Sequence, residues 1–292
     1  MKTIGFIGLG IMGMPMAANL VRAGFDVVGH TRSGASGLVA AGGREAASIA
    51  EATAGADLVI TMLPDSPDVA DVVLGRDGVL ANASPNLLLA DMSTISPATA
   101  REIAASAAAR GIAALDAPVS GGEQGAIDGA LAIMAGGTPE AFDRAGPVFD
   151  VLGTTVVHVG PAGAGQLVKA ANQLVVAGTI ELVAEAIVLL EASGVDAAAG
   201  LEVLGGGLAG SAVLARKGAA MRERRFDPGF RVDLHHKDLG IMLGAAREAG
   251  AFTPLGALVA QLMSALRAQG DGGLDHGALL RGVERLSGRA HV

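Results

Sequence analysis

Residues 3–13 read Thr3-Ile4-Gly5-Phe6-Ile7-Gly8-Leu9-Gly10-Ile11-Met12-Gly13. The run Thr3–Gly8 predicts a strand and Ile11–Ala23 predicts a helix, so a G-x-G-x-x-G turn joins the two. In such a turn the first glycine permits the bend, the second admits a pyrophosphate, and the third allows close helix–strand packing. The helix N-terminus also attracts an anion. We therefore predict a dinucleotide-binding turn, with an ordinary glycine-rich turn as the alternative.

Short apolar runs continue to alternate with helical patterns through the first half of the chain. Two of the predicted helices, Pro97–Arg110 and Pro139–Phe149, begin with proline, which suits a first helical turn. Alternation of this kind predicts an α/β fold: a Rossmann-type, doubly wound domain with a mostly parallel sheet, over residues 1–162. The further predicted strands are Val27–Thr31, Leu58–Met62, Leu87–Asp91, Ala113–Asp116, Leu131–Ala135 and Val156–Val159.

The pattern changes after the glycine-rich residues 160–165, beyond which only helices are predicted. An interdomain helix over residues 165–193 is long and apolar on most of its surface, so it should be buried on several sides. We predict an all-helical substrate and oligomerisation domain over residues 163–292, and a homodimer or homotetramer. The other predicted helices are Ala197–Leu204, Ala212–Glu223, Leu234–Ala249, Leu255–Ala268 and His276–Leu286.

Composition excludes several classes of protein. With 51% apolar and 17% charged residues among 292, the chain can bury a sizeable core. A net charge of −8 without a basic run argues against a nucleic-acid partner, and the lack of Cys excludes disulfides and thiol nucleophiles. The acids Glu181 and Glu185 inside the long helix argue against a membrane span. We expect a cytoplasmic protein without a metal site, since the neighbours His235 and His236 point apart on a helix.

The end of the second predicted strand bears on the choice of cofactor. An NAD site usually places Asp or Glu there to hold the ribose, but this chain has Thr31, Arg32 and Ser33. Arg32 could grip a 2′-phosphate, with the two hydroxyl groups as partners. We therefore expect NADP(H) as the preferred cofactor and NAD(H) as the alternative. A solvated loop arginine is the structural alternative.

A lysine near the start of the long helix is a candidate proton donor. Only four of the 21 basic residues are Lys, and Lys169 has Asn172 and Gln173 at i+3 and i+4 on the same helical face. Lysine can release its proton in a site, whereas arginine cannot. An amine beside an amide could protonate and orient a carbonyl oxygen. A surface lysine at a helix end explains the spacing equally well.

Three further segments carry polar groups suited to ligands. Ser120, Gly121 and Gly122 combine a hydroxyl with exposed backbone N–H groups, which suits a carboxylate, although a plain turn would look the same. Residues 91–94 end a strand on the ligand-binding side of a parallel sheet, or cap the following helix. Residues 237 and 238, a Lys-Asp pair, could equally form an exposed ion pair.

Together the motifs resemble the β-hydroxyacid dehydrogenase family along practically the whole chain. Within it, residues 169–173, 226–239 and 272–276 look closest to the tartronate semialdehyde reductases. The motifs that carry the resemblance are Gly8-Leu-Gly-Ile-Met-Gly13, Met16-Ala-Ala-Asn-Leu20, Thr61-Met-Leu-Pro64, Asp91-Met-Ser-Thr94, Asp116-Ala-Pro-Val-Ser-Gly-Gly122, Gly163-Ala-Gly-Gln-Leu-Val-Lys169 and Lys237-Asp-Leu239.

The resemblance implies roles for individual positions. Lys169 would be the catalytic acid/base and Asn172 would orient the reacting oxygen. The residues implied to bind the substrate carboxylate are Ser120, Gly121 and Gly122. Those implied for the nicotinamide half of the cofactor are Thr94 and Lys237, and those for its adenosine-ribose side are Met62, Leu63 and Pro64. Phe230 and Asp238 match positions near the family's active site.

The expected reaction is NADPH-dependent reduction of tartronate semialdehyde, a small carboxylate substrate, to glycerate. Oxidation of 3-hydroxyisobutyrate or another 3-hydroxy acid is an alternative, and a non-catalytic dinucleotide-binding protein is a third. Many family members have a second Asn where this chain has Gln173, so the resemblance assigns that position no role.

Overall fold

The computed structural model describes residues 1–289, which cluster into two compact units. The first comprises Met1–Lys169 and the second begins at Ala170. The first is a sheet covered by helices and the second is helical, so the predicted fold class is confirmed for both. The domain boundary between residues 162 and 163 stays a prediction.

A single mixed sheet forms the centre of the first unit. Its order is β3-β2-β1-β4-β5-β6-β8-β7, with β9 also paired to β8. Strands β1 to β6 pair in parallel, whereas β8 runs antiparallel to β6 and β7. Sequence analysis missed β3 and β7, which have two residues each. In residues 1–289 the strands are β1 Thr3–Ile7, β2 Asp26–His30, β3 Arg44–Glu45, β4 Leu58–Thr61, β5 Leu88–Asp91, β6 Ala113–Asp116, β7 Val119–Ser120, β8 Leu131–Gly136 and β9 Gly153–Gly160.

Four helices of the first unit, α3, α4, α6 and α8, begin with a side-chain cap. The Ser96 and Thr138 side chains accept N–H bonds from the third residue of α6 and α8, and proline follows each cap. Helical patterns were predicted between the strands, but without bounds for α2, α3, α4, α5 and α7, most of which are too short to show clear periodicity. The helices are α1 Gly13–Arg22, α2 Ser36–Ala40, α3 Ile49–Thr53, α4 Ser66–Leu74, α5 Val79–Asn82, α6 Pro97–Ala108, α7 Gly122–Asp128 and α8 Pro139–Leu152.

Small residues let the first unit pack closely without Trp or Tyr. The β1 residues Ile4 and Phe6 are fully buried, in the core between the sheet and the helices of one face. On β1, a Cβ placed on Gly5 would lie 2.2 Å from the carbonyl oxygen of Ala52 in α3. The backbone of α3 therefore approaches the sheet more closely than any larger residue would permit.

Helices make up the second unit. The predicted helix at residues 276–286 is in part wrong, because its first turn is 3₁₀ and α-helical bonding begins only at Leu279. Another 3₁₀ turn spans Asp271–Gly273. The helices are α9 Ala164–Ala192, whose first residues belong to the first unit, α10 Ala197–Gly206, α11 Ala212–Arg222, α12 Val232–Ala249, α13 Pro254–Ala268 and α14 Leu279–Leu286.

Helix α9 combines buried and exposed apolar residues. In the described part of the chain it is the one helix long and apolar enough to cross a membrane, but half of its most apolar stretch is buried in the protein, as in a core helix. Glu181 is buried, and burial and then the charge of Glu185 raise the pKa of Glu181 to about 7. The exposed apolar residues of α9 that recur at intervals of seven are Val168, Val175, Leu182 and Leu189.

Candidate dinucleotide and substrate site

The glycines of the first turn have different surroundings. Gly8 has φ +99° and donates its N–H to the His30 carbonyl oxygen at 3.0 Å. A Cβ on Gly8 would lie 2.2 Å from the carbonyl oxygen of Met62, and one on Gly13 would lie 1.9 Å from that of Gly8. At Gly10 no described atom beyond its chain neighbours comes within 4 Å of the Cβ position. The protein's own packing fills the space at Gly8 and Gly13. The open space at Gly10, the second glycine of the motif, fits a pyrophosphate.

The loop after β2 presents a cation and, unexpectedly, an acid. Arg32 and Ser33 are exposed, and the Arg32 guanidinium forms no ion pair with any residue among 1–289. Strand β3 places Glu45 at the same loop, where its Oε1 accepts the Ala35 N–H at 3.0 Å. Sequence analysis did not identify this acid, because it lies in a two-residue strand that was not predicted.

Hydrogen bonds join the ends of β4 and β5. The Thr61 hydroxyl donates to Oδ1 of Asp91 at 2.7 Å, and the Ser93 N–H approaches the same oxygen at 3.3 Å. The Leu63 N–H donates to the Ser93 hydroxyl at 2.9 Å, so the segment predicted to line the adenosine-ribose side is fixed to the segment that carries Thr94. Burial raises the pKa of Asp91 to about 6, against the opposing bonds from Ser93 and Thr61.

The end of β6 holds the start of α9. Oδ1 of Asp116 accepts the Gly163 N–H at 2.7 Å, and Oδ2 accepts the Gln166 N–H at 2.9 Å. These N–H groups lie at the helix start, where no intrahelical partner exists. Burial raises the pKa of Asp116, against the bonds from Gly163 and Gln166. Sequence analysis gave Asp116 no role, although it begins one of the motifs that carried the resemblance.

Gln166 connects α9 to the segment that carries Thr94. Its Oε1 accepts the Ile95 N–H at 3.1 Å, and its Nε2 donates to the Ser93 carbonyl oxygen at 2.9 Å. Lys169 follows one turn later and is only 7% exposed, so the alternative of a surface lysine is wrong. Gln166 itself was missed, although it stands three residues before Lys169 in the quoted motif.

The Ser120 loop has open space beside one of its two glycines, Gly122. Ser120 ends β7, and Gly121 and Gly122 have φ of +142° and +67°, which L side chains rarely adopt. No described atom beyond the chain neighbours lies within 4 Å of a Cβ on Gly122. The loop can therefore admit a small ligand, and its role with a carboxylate stays a prediction.

In the second unit, four predicted or adjacent polar residues form one chain of contacts. Asn172 Nδ2 donates to Gln173 Oε1 at 2.8 Å, and Gln173 Nε2 donates to Asp238 Oδ2 at 2.6 Å. Lys237 Nζ lies 2.9 Å from Asp238 Oδ1. Residues 237 and 238 therefore form an ion pair. The Asp238 carboxylate in this pair is buried rather than exposed, since Asp238 is only 2% exposed.

Phe230 packs on two histidines. Its ring centroid lies 5.6 Å from that of His235 and 5.5 Å from that of His276. The carboxylate of Asp275 accepts the Phe230 N–H at 3.1 Å and binds Lys217 Nζ at 2.6 Å, which fixes the segment before α12. In residues 1–289, no three His, Asp or Glu side chains are grouped so as to hold a metal ion.

Comparison with known proteins agrees with this geometry. Residues 3–160 match the family model described as the NAD binding domain of 6-phosphogluconate dehydrogenase. Residues 163–283 match the one described as NAD-binding of NADP-dependent 3-hydroxyisobutyrate dehydrogenase. The chain is 39% identical to 2-hydroxy-3-oxopropionate reductase of Escherichia coli over 97% of its own length and 98% of that protein's. The chain belongs to the β-hydroxyacid dehydrogenase family.

Two further relatives of this β-hydroxyacid dehydrogenase are named for different substrates. It is 43% identical to the NAD-dependent L-serine dehydrogenase of Pseudomonas aeruginosa, over 92% of this chain and 94% of that protein. The structure of Mycobacterium tuberculosis 3-hydroxyisobutyrate dehydrogenase with L-serine has a TM-score of 0.88 and 39% identity, covering 97% and 99% of the two chains. The protein is thus an NAD(P)-dependent oxidoreductase acting on CH–OH groups, with the 3-hydroxy acid activity of its family.

The glycine environments generate a test of the dinucleotide turn. Gly10→Val should weaken NADPH binding at least about tenfold and leave the melting temperature near that of the wild type, because the side chain enters only the ligand's space. Gly13→Ala should lower the melting temperature, because its methyl overlaps the Gly8 carbonyl. Fluorescence titration and thermal melts measure both effects. Wild-type NADPH affinity in Gly10→Val would contradict the assignment.

Proposed function

We propose that this β-hydroxyacid dehydrogenase reduces tartronate semialdehyde to glycerate with NADPH. The observation that carries the chemistry is the burial of Lys169 one turn after Gln166, on the helix that also bears Asn172. The substrate is supported by the 39% identity to the Escherichia coli reductase and by the run Lys169-Ala-Ala-Asn-Gln173.

Different residues of the chain have different roles in the proposed reaction. A nicotinamide cofactor, when bound at the glycine turn, would supply the hydride that the carbonyl carbon accepts. Lys169 donates a proton to the carbonyl oxygen, so that C=O becomes CH–OH, and Asn172 orients that oxygen. Ser120 and the two glycines after it hold the substrate carboxylate through a hydroxyl and backbone N–H groups. General acid catalysis by a positioned side chain typically contributes about 10²–10⁴-fold.

Oxidation of a 3-hydroxy acid is the second candidate. It is favoured by the Pseudomonas aeruginosa relative, a NAD-dependent L-serine dehydrogenase, and by the related structure solved with L-serine. 3-Hydroxyisobutyrate and L-serine share with glycerate a carboxylate and a hydroxyl-bearing carbon. The Ser120 loop and Lys169 would therefore serve each of them, and the pocket around the third substituent would select among them.

The substrate proposal is tested by a panel of reactions. With NADPH, we expect faster turnover of tartronate semialdehyde than of succinic or methylmalonate semialdehyde, and faster than oxidation of L-serine or 3-hydroxyisobutyrate with NADP⁺. Lys169→Ala should lose about 10²–10⁴-fold in kcat and still bind NADPH, because it removes the proton donor. Lys169→Arg keeps the charge but holds its proton, so it should fail too. Preferred turnover of L-serine would favour the second candidate, and NADPH binding without turnover of any compound in the panel would reject both proposed substrates.

We propose NADPH as the preferred cofactor, on the basis of Arg32. Arg32→Ala should lower kcat/KM for NADPH about tenfold or more and change the value for NADH little, because only NADPH carries the 2′-phosphate. Arg44→Ala is the matched control, since Arg44 is exposed but paired with Asp26 at 2.9 Å. The measured quantity is the ratio of kcat/KM values for the two cofactors. An unchanged ratio in Arg32→Ala would reject the role of Arg32.

We also propose that the protein is a homo-oligomer through α9. The exposed residues Val175, Leu182 and Leu189 recur every seven positions, the spacing of a helix–helix seam. Exposed Leu255 of α13 extends this apolar surface, since its Cδ2 would lie 3.6 Å from a Cβ on Gly178. A second copy of the chain, packed through the same face, would cover both the exposed α9 residues and Leu255.

Light scattering tests the oligomer. The wild type should have the mass of a dimer or tetramer, and Leu182→Glu should shift it to the monomer by placing a charge in the seam. Leu286→Glu alters another exposed leucine, on α14, and should leave the mass unchanged. A monomeric wild type, or an unchanged mass in Leu182→Glu, would refute the proposed interface.

A further inference from the structure

We propose that Glu45 is a specificity-determining residue of the cofactor site: its carboxylate favours the ribose 2′-hydroxyl of NADH and opposes the 2′-phosphate of NADPH, against the effect of Arg32. This role rests on the proposed function, in which Arg32 holds that phosphate. Glu45 is exposed and lies outside every motif that carries the family resemblance. A single change of charge at this position should therefore shift the balance between the two cofactors.

Strand pairing places Glu45 on the side of the sheet that carries the glycine turn. In the parallel pair of β2 and β3, Glu45 lies opposite Gly29. Side chains of directly paired residues in neighbouring strands point to the same face of a sheet. A Cβ on Gly29 would lie 2.8 Å from Cδ1 of Leu9, which stands between the first two glycines of the turn. Glu45 therefore shares a face of the sheet with the dinucleotide turn.

Glu45 also lies at the edge of the sheet where cofactors bind. Ligands of open parallel sheets lie beyond the carboxyl ends of the strands. Glu45 is the last residue of β3, and its partner Gly29 is the last residue but one of β2. An NAD site usually has its ribose-binding acid at the end of β2, where this chain continues with Thr31, Arg32 and Ser33. The neighbouring strand thus supplies an acid beside the position where the usual one is missing.

One oxygen of the carboxylate is fixed to the loop that carries Arg32. Oε1 of Glu45 accepts the Ala35 N–H at 3.0 Å. The loop bends at Gly34, which has φ +86° and whose Cβ position lies 4.0 Å from the same oxygen. Among residues 1–289, the Ala35 N–H is the one donor that bonds to this carboxylate. Because Glu45 is exposed, its Oε2 is open to a ligand hydroxyl or to water.

Arg32 and Glu45 give this loop two charges of opposite sign. Neither residue forms an ion pair, with the other or with any further residue among 1–289. A phosphate monoester carries roughly −1.5 to −2 charges at pH 7, so the 2′-phosphate of NADPH is attracted by Arg32 and repelled by Glu45. The 2′-hydroxyl of NADH is uncharged and can donate a hydrogen bond to a carboxylate. The loop thus holds one group suited to each cofactor.

Glu51 is a matched control for Glu45. Its Oε2 also accepts a backbone N–H, that of Ala47, at 2.7 Å, and this carboxylate is exposed as well. Glu51 belongs to α3, however, whose Ala52 packs in the core on the opposite side of the sheet from Leu9. The same substitution at the two positions therefore removes the same charge and keeps the same kind of hydrogen bond, on different faces of the sheet.

The binding experiment measures the Kd of NADPH and of NADH by fluorescence titration for the wild type, Glu45→Gln and Glu51→Gln. Glutamine keeps an oxygen that accepts the Ala35 N–H but carries no charge. We expect Glu45→Gln to raise the ratio of the NADH Kd to the NADPH Kd about threefold to tenfold, the size of one exposed charge interaction. Glu51→Gln should leave that ratio unchanged. An unchanged or lower ratio in Glu45→Gln would overturn the proposal.

Salt dependence supplies a readout that a merely structural role would not move. Exposed charges are screened over about 10 Å at 0.1 M ionic strength and over about 3 Å at 1 M. The gain in NADPH affinity of Glu45→Gln over the wild type should therefore shrink between these two salt concentrations. The ligand-free variant should melt within a few degrees of the wild type, because the hydrogen bond to Ala35 is kept. A gain that persists undiminished at 1 M salt would overturn the proposal.

The double variant Arg32→Ala, Glu45→Gln separates this inference from the proposed function. Two charges of opposite sign act on one phosphate, so its Kd ratio should lie between those of the single variants. A ratio equal to that of Arg32→Ala alone would show that the carboxylate acts only through Arg32, and would overturn the proposal. These measurements need no substrate, so they hold even if the enzyme turns over none of the panel.

Discussion

The two bonds from the Asp116 carboxylate to the N–H groups of Gly163 and Gln166 are the contact on which the rest of the site depends. They attach the first turn of α9 to the end of β6. The glycine turn lies at the same ends of the parallel strands, after β1. A helix start has unpaired donors, and a buried carboxylate needs donors, so each satisfies the other. Burial raises the pKa of Asp116, and the bonds from Gly163 and Gln166 oppose that shift.

From that attachment, polar groups are fixed in succession. Gln166 holds the segment around Thr94 from both sides, and Ser93 holds Leu63 and, through Asp91, Thr61. In the second unit, Gln173 connects Asn172 to Asp238. Two of the segments predicted to contact a ligand, those that carry Thr94 and Asn172, are therefore held by buried polar residues, Gln166 and Gln173, that had no predicted role. Preorganisation of this kind is what places a reacting group accurately.

The sequence predicted what depends on local pattern and missed what depends on tertiary contact. The glycine turn, the parallel strands and the long helix follow from periodicity and spacing, and so they could be read directly. Strand β3 could not, because two residues become a strand only by pairing with β2, and with it the acid Glu45 was overlooked. The roles of Gln166 and Asp116 were hidden for the same reason, since their partners lie 47 to 73 positions away.

Helix α9 runs without interruption from Ala164 to Ala192, and this has a consequence for how the family can change. Each residue turns an α-helix by about 100° and advances it by about 1.5 Å. Inserting or deleting one residue between Lys169 and Asn172 would therefore turn the side chains of Asn172 and Gln173 by about 100° around the helix relative to Lys169. The relation between Lys169, the proposed proton donor, and its two neighbouring amides is therefore set by the number of residues between them. Substitutions along this segment keep that spacing, whereas an insertion or a deletion changes it.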